Sequence, residues 1–400
     1  MSQINKRLIN NKIPKSYVFF GIFLFLFISL MVFVEIKNGK FETNDFKVYY
    51  QATLDFFSGN DPYSKSYGLS TGYFKYPPTT LYLFSPINFF NYFTAQIIHT
   101  FFLFSSLVIA IATLHRFLFA LNPIKSSKGS FALLYIAFSL ILIHVVREIH
   151  MGNVNLFLLV LFVLGICSFL ESKLTLMVIF WSLMVIIKPI VILAFIPIIF
   201  YKMWKPILMM IGIGIIYFCL PIFHLGFQHT LELWKHWFSS VAQHGNYIIS
   251  ENSLKYYANH FFGMNSDWVP SIFVLVILLI IMIRDLIKQN YSKNEFVNWT
   301  IILMAFVPNF FVTDTEHFLL SLPLILIVLK QLLLQARPVF WIVFSFLTAF
   351  FSLKSNDLLG EKLTLFYNTN GLLGISNLCF IVLFLLLKNE QHKKLSLIDK

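Results

Sequence analysis

Long apolar runs separated by short polar or basic connections set the pattern of this chain. They fall at about 17 to 36, 93 to 119, 130 to 146, 154 to 170, 174 to 187, 190 to 201, 206 to 222, 269 to 283, 296 to 312, 318 to 335, 338 to 353 and 371 to 387. A helix needs about 20 apolar residues to cross a hydrocarbon core, so the pattern predicts an all-α protein with about twelve transmembrane helices. The runs at 174 to 187 and 190 to 201 are short for a crossing and meet at Lys188-Pro189. Thinned or tilted spans, or a re-entrant helical hairpin, satisfy that spacing. No small-residue cleavage pattern follows the first run, which reads as a retained span.

Two stretches between the runs carry a different period. Phe46, Tyr49, Tyr50, Thr53, Phe56 and Phe57 recur at i, i+3, i+4, i+7, i+10 and i+11 and paint one helical face with rings. Such a helix lies in the interface plane. Gly59-Asn60-Asp61-Pro62 stops it, and Tyr76-Pro77-Pro78 supplies a rigid turn downstream. Leu231, Trp234, Trp237, Phe238 and Val241 line one side of a second helical pattern between 228 and 242.

Composition agrees with a membrane protein: 58% of residues are hydrophobic, 48 are Phe, and only 12% are charged, against about 25% in soluble domains. The net charge of +12 does not imply a nucleic-acid partner, because the basic residues are scattered through short connections and form no separate stripe. Lys6, Arg7, Lys12, Lys15, Arg116, Lys125, Lys128, Lys173, Lys202, Lys205, Arg284, Lys288, Lys293, Lys330, Arg337, Lys388, Lys393, Lys394 and Lys400 all fall on the side of the N-terminus. The positive-inside rule makes that side cytoplasmic and puts both termini there. One integral membrane domain, 1–400, is expected, with extracytoplasmic loops at 37–92, carrying the first interfacial helix, and at 223–268. The three cysteines, all in apolar runs, imply neither disulfides nor a zinc site.

The candidate chemistry gathers on the opposite, outer side. Asp45 follows the first span and opens the aromatic helix; by itself it reads as a first-turn acid behind a Thr43 or Asn44 cap, complementing the helix dipole. Lys188 is an ionisable group between apolar runs, a functional candidate by default, although a lysine at a hairpin tip also snorkels. Arg147 and His150 share a helical face, whereas Arg147 and Glu148 do not, which suits a phosphate site. A lone histidine such as His317 at a junction of spans is commonly a packing residue. His224, His229, His236 and His244 fit no compact ligand spacing and read as solvated.

In order along the chain stand Asn44-Asp45-Phe46 with Tyr49-Tyr50, Gly59-Asn60-Asp61-Pro62-Tyr63, Tyr76-Pro77-Pro78 with Pro86, Gly152-Asn153-Val154-Asn155, Lys188-Pro189, Asn252-Ser253-Leu254 and His317. With these the chain resembles glycosyltransferase family 87, the polyprenyl-phosphate-sugar-dependent membrane enzymes of the GT-C fold. It departs from the family pattern at Asn153, where Gln is expected, and at 312–316 before His317. The resemblance implies an inverting transfer of a sugar, mannose or another, from a polyprenyl-phosphate donor to a hydroxyl of a lipid-linked or surface glycan. The reaction would run at the outer face of a bacterial cytoplasmic membrane.

Under that resemblance Asp45 is the general base, and His317, Lys188, Arg147, His150, Tyr76, Asn155 and Asn252 bind the donor phosphate or substrate. The donor, a glycolipid or glycan acceptor and membrane lipids are the implied partners. No cofactor and no obligatory metal are expected, since a lipid monophosphate is the leaving group and the outer side carries no Asp-x-Asp pair. A transporter or flippase is the competing reading. Asymmetric halves and polar residues concentrated in two large external loops argue against it.

Overall fold

The computed structural model describes residues 15–63, 65–68, 72–121, 127–247, 251–264, 268–288, 291–310, 314–335 and 337–398. Lys6, Arg7, Lys12, Lys125 and Lys400 of the charge pattern and Val312-Thr313 lie outside them. Every regular element among the described residues is helical, and β pairing is limited there to one antiparallel bridge between Ser66 and Tyr73. Six of these helices are long and apolar enough to cross a membrane: Lys15–Lys37, Tyr92–Leu118, Ala132–Met151, Val269–Lys288, Thr315–Leu334 and Leu372–Glu390. A bent pair, Trp204–Cys219 and Ile222–Gln243, turns by 87° and makes a seventh if counted as one span. Four further apolar runs form shorter helical segments: Asn155–Leu170, Leu174–Ile187, Pro189–Phe200 and Pro338–Ser352. The protein is an all-α polytopic membrane protein.

Its chain divides into two compact units. The first comprises Met1–Ala120, Val146–Ile192 and Lys202–Ile248. Its helices are α1 (Lys15–Lys37), α2 (Asn44–Phe57), α3 (Tyr92–Leu121), the last turn of α4 (Ser127–Met151), α5 (Asn155–Leu170), α6 (Leu174–Ile187), α7 (Trp204–Cys219) and α8 (Ile222–Tyr247). On α1 only Phe20, Leu24, Ile28 and Val32 are buried, one narrow stripe at a spacing of four, while Phe19, Leu26, Leu30 and Phe33 are exposed. Exposed apolar side chains around most of the helix suit lipid as the surrounding solvent. α5 and α6 form a tight hairpin: a Cβ at Gly165 would lie 2.0 Å from Trp181 Nε1, which donates to the Phe162 carbonyl. Only a glycine admits the indole so close.

The aromatic helix forms as α2, with Phe46, Tyr49, Tyr50, Thr53 and Phe56 buried and Phe57 at the exposed end of the face. Rings of its own unit cover that face; Tyr49 stacks on Phe84 at 4.7 Å and Phe46 on His99 at 4.6 Å. Gly59, with φ 82°, ends the helix, and Asp61 Oδ1 accepts the Tyr63 N–H at 3.0 Å, closing the turn before the Ser66 bridge. The second amphipathic stretch is α8, kinked at Gly226 (φ 75°).

The second unit comprises Leu121–Val145, Leu193–Tyr201 and Ile249–Lys400. It holds most of α4, then α9 (Leu254–Phe262), α10 (Val269–Lys288), α11 (Lys293–Phe310), α12 (Leu322–Gln335), α13 (Pro338–Ser352), α14 (Asn356–Thr369) and α15 (Leu372–Ile398). Its centre is α11, buried continuously from Trp299 to Phe310. Asn309 Nδ2 donates to the carbonyls of Asn252 and Gly374 at 2.9 and 3.0 Å, and Asn377 Nδ2 to Asn309 Oδ1 at 2.7 Å. An ionic cluster ties three helices together: Lys388 Nζ lies 2.9 Å from Asp285 Oδ2, bonds to Glu295 and faces the Trp299 ring at 5.4 Å.

Candidate active site

Asp45 occupies the first turn of α2 and is half-buried. The expected Thr43 or Asn44 side-chain cap is not what starts this helix. Thr43 has a left-handed backbone, φ 42°, and makes no capping bond; its hydroxyl accepts from Gln96 Nε2 of α3 at 2.8 Å. Gln96 also donates to the Phe41 carbonyl at 2.9 Å. The polar group of α3 therefore fixes the strained residue before Asp45, and the carboxylate is left for other contacts.

The main described contact is with Asn153. Its Nδ2 donates to Asp45 Oδ2 at 2.7 Å. A carboxylate can only accept, so the amide oxygen must turn the other way. That oxygen accepts the Val154 N–H at 2.8 Å and faces the hydroxyls of Tyr49 and Tyr76 at 3.3 and 3.4 Å, which are 2.8 Å from each other. Burial pushes the Tyr49 phenol well above its ordinary pKa, with Tyr76 and Asp45 adding to the shift. Tyr49 is therefore a neutral hydroxyl at any working pH.

Asn153 reaches Asp45 because Gly152 brings the backbone against α2. Gly152 has φ 68°, and a Cβ there would stand 2.8 Å from Phe46 Cβ and 3.0 Å from Thr43 Cβ. His99 Nε2 donates to the Gly152 carbonyl at 2.9 Å. Tyr76 is placed by the prolines after it and by Tyr63, whose hydroxyl donates to the Tyr76 carbonyl at 2.8 Å. α8 holds the same segment: Trp237 Nε1 donates to the Lys75 carbonyl at 2.9 Å, and His236 pairs with Asp61 at 3.0 Å.

A second polar line joins the same cluster. Lys188 ends α6, donates to Asn155 Oδ1 at 2.8 Å and lies 5.9 Å from the centre of the Tyr76 ring. Asn155 Nδ2 in turn donates to Glu148 at 2.9 Å. Tyr76, Asn155 and Lys188 thus stand in one cluster with Asp45. Arg147 is exposed, and His150 faces Glu35 at 3.0 Å. Glu148, Asn153 and Tyr49 complete the cluster although the motif reading assigned them no role. Glu148 was signalled by being an acid in the short connection between two apolar runs, and Asn153 by standing where the resemblance expects Gln.

In the second unit His317 belongs to the turn Thr315–Ser321. Its Nδ1 accepts the Asp314 N–H at 3.2 Å, so the ring proton is on Nε2, which makes it a hydrogen-bond donor. Ligand atoms of Asp314, Glu316 and His317 lie within 4.8 Å of one another, a spacing that could hold a metal ion. His144 Nδ1 anchors the same turn through the Thr315 carbonyl at 2.9 Å. Asn252 is buried with its Oδ1 on the Gly374 N–H at 3.2 Å, and its carbonyl is bonded to Asn309.

An all-α membrane protein whose first unit aims a carboxylate, phenols and an ammonium group into one cluster has the parts of a transferase. The profile of glycosyltransferase family 87 matches residues 74–313, more than half of the chain. The chain belongs to that family and is a glycosyltransferase. Tyr76, Arg147, His150, Asn155, Lys188 and Asn252 fall within the matched segment, Asp45 before it and His317 after it. No curated protein matches the chain.

Proposed function

We propose that the protein moves a sugar, mannose in the first instance, from a polyprenyl-phosphate donor to a hydroxyl of a lipid-linked or surface glycan, with inversion, at the outer face of a bacterial cytoplasmic membrane. The observation that carries this reading is the cluster around Asn153, which joins one oriented carboxylate, Asp45, to a tyrosine pair beside the Lys188 ammonium. Asp45 takes the acceptor proton as the acceptor oxygen bonds to the anomeric carbon from the face opposite the phosphate. The carbon–oxygen bond to phosphate breaks, and the lipid leaves as a phosphate monoester with one more negative charge. Lys188 stabilises that charge more in the transition state than in the ground state. Tyr76 and Asn155 hold the ammonium.

Purified protein in detergent, given a polyprenyl-phosphate mannose and a glycolipid acceptor, tests it. Asp45→Asn keeps size and folding and lowers turnover by about 10²- to 10⁴-fold, the usual share of a general base. Lys188→Ala lowers turnover with the acceptor's KM unchanged. An Asp45→Asn protein within a few-fold of wild type, or a product that retains the donor's anomeric configuration, rejects the mechanism.

A further inference from the structure

The carboxylate of Glu148 has no place in the reaction just described, although it is fully buried and lies at the end of the line that leads to Lys188. It stands on the last turn of α4. Its Oε1 accepts the Leu156 N–H at 2.9 Å and its Oε2 accepts Asn155 Nδ2 at 2.9 Å. The first of these bonds places an anion at the N-terminus of α5, where the helix dipole and unpaired N–H groups favour it. The second fixes the orientation of an amide. Glu148 can only accept and Lys188 can only donate. Asn155 satisfies both only with its nitrogen toward Glu148 and its oxygen toward Lys188, as observed at 2.8 Å.

We infer that Glu148 is a positioning residue for sugar transfer: through the Asn155 amide it aims the Lys188 ammonium at the phosphate of the lipid donor. The inference rests on the reading of Lys188 given above. The polarity of the line makes it specific. A glutamine at 148 still accepts from Leu156, but its amide nitrogen then faces the amide nitrogen of Asn155. Relief comes by turning Asn155 over, which presents an NH2 group to the ammonium and drives Lys188 away. An aspartate at 155 together with glutamine at 148 restores every donor and acceptor, with the negative charge moved one residue along the line.

The experiment compares the full-length wild type, Glu148→Gln, Asn155→Asp, the double variant Glu148→Gln/Asn155→Asp, Lys188→Ala and Lys188→Ala/Glu148→Gln. Turnover is measured with a polyprenyl-phosphate mannose, with donor and acceptor varied separately. Thermal stabilisation by a polyprenyl monophosphate is measured in parallel and needs neither sugar nor acceptor. Glu148→Gln is expected to lower turnover by about 10- to 100-fold, the scale of one lost charge-assisted hydrogen bond, and to leave the acceptor's KM unchanged. Asn155→Asp alone, with two carboxylates face to face, is impaired as well. The Glu148→Gln/Asn155→Asp protein regains most of the loss, and Glu148→Gln adds nothing in the Lys188→Ala background. A merely structural glutamate would give additive losses and no rescue, and either result overturns the inference. Wild type stabilised by the lipid phosphate but inactive with the mannosyl donor rejects only the choice of sugar. Equal stabilisation of wild type and Lys188→Ala rejects the phosphate role of Lys188, and with it this inference.

Discussion

At the scale of single residues, the site depends on which atom of an amide faces which neighbour. Asn153 offers its nitrogen to Asp45 and its oxygen to the Tyr49–Tyr76 pair. Asn153→Asp would replace that donor by an acceptor and set two carboxylates together. A like charge disfavours ionisation, so the pKa of Asp45 would rise. As the proposed general base, Asp45 has to be ionised, so the acid limb of the activity profile should move to higher pH in Asn153→Asp, with activity recovering as pH increases. Profiles of kcat/KM against pH check the direction, and a shift to lower pH would count against Asp45 as the base. Asp45 was readable because an acid stands at the head of a ring-bearing helix after a span. Its partners were not, since hydrogen-bond direction between residues 108 apart leaves no trace in periodicity.

At the scale of elements, the junction of α4, α5 and α2 turns on Gly152. Its positive φ and the absence of a Cβ let the loop press on Phe46 and Thr43. Gly152→Ala must adopt a backbone costing about 1 to 3 kcal/mol and also push α2 away from Asn153. A lowered Tm in detergent, with a loss of activity larger than the stability loss explains, is the expected result; an alanine variant with wild-type Tm and activity would mean that the approach is not tight. The hydrophobic period gave α2 nearly residue for residue, because its buried face follows the 3.6-residue repeat. It did not give the start of α2, where a strained Thr43 held by Gln96 replaces a side-chain cap. The twelve apolar runs became six long helices, the first arm of a bent pair, four shorter segments and the 18-residue α11. Hydropathy registers apolar length, whereas prolines such as Pro189, Pro197 and Pro221 decide whether a run stays one straight helix.

At the scale of the whole molecule, stability and sidedness each give a test. Lys388 is buried between Asp285 and Glu295, so Lys388→Met removes the cation that both carboxylates share and leaves Asp285 with its half-exposed Arg284 partner. Removing one partner of a buried ionic group costs about 3 to 5 kcal/mol. Thermal unfolding in detergent should show it, and Lys388→Met/Asp285→Asn/Glu295→Gln should recover much of the loss. Sidedness is a proposal from charge: the positive-inside rule assigns the basic connections, with the turn at Ser172-Lys173, to the cytoplasmic face and the loop with Asn60 to the opposite one. Both positions are exposed. In a background lacking Cys167, Cys219 and Cys379, a cysteine replacing Asn60 should react with an impermeant thiol reagent in intact cells. One replacing Ser172 should react only after permeabilisation. The reverse pattern would put Asp45, fifteen residues before Asn60 on the same loop, on the cytoplasmic side, where a nucleotide sugar rather than a lipid-phosphate sugar is the available donor.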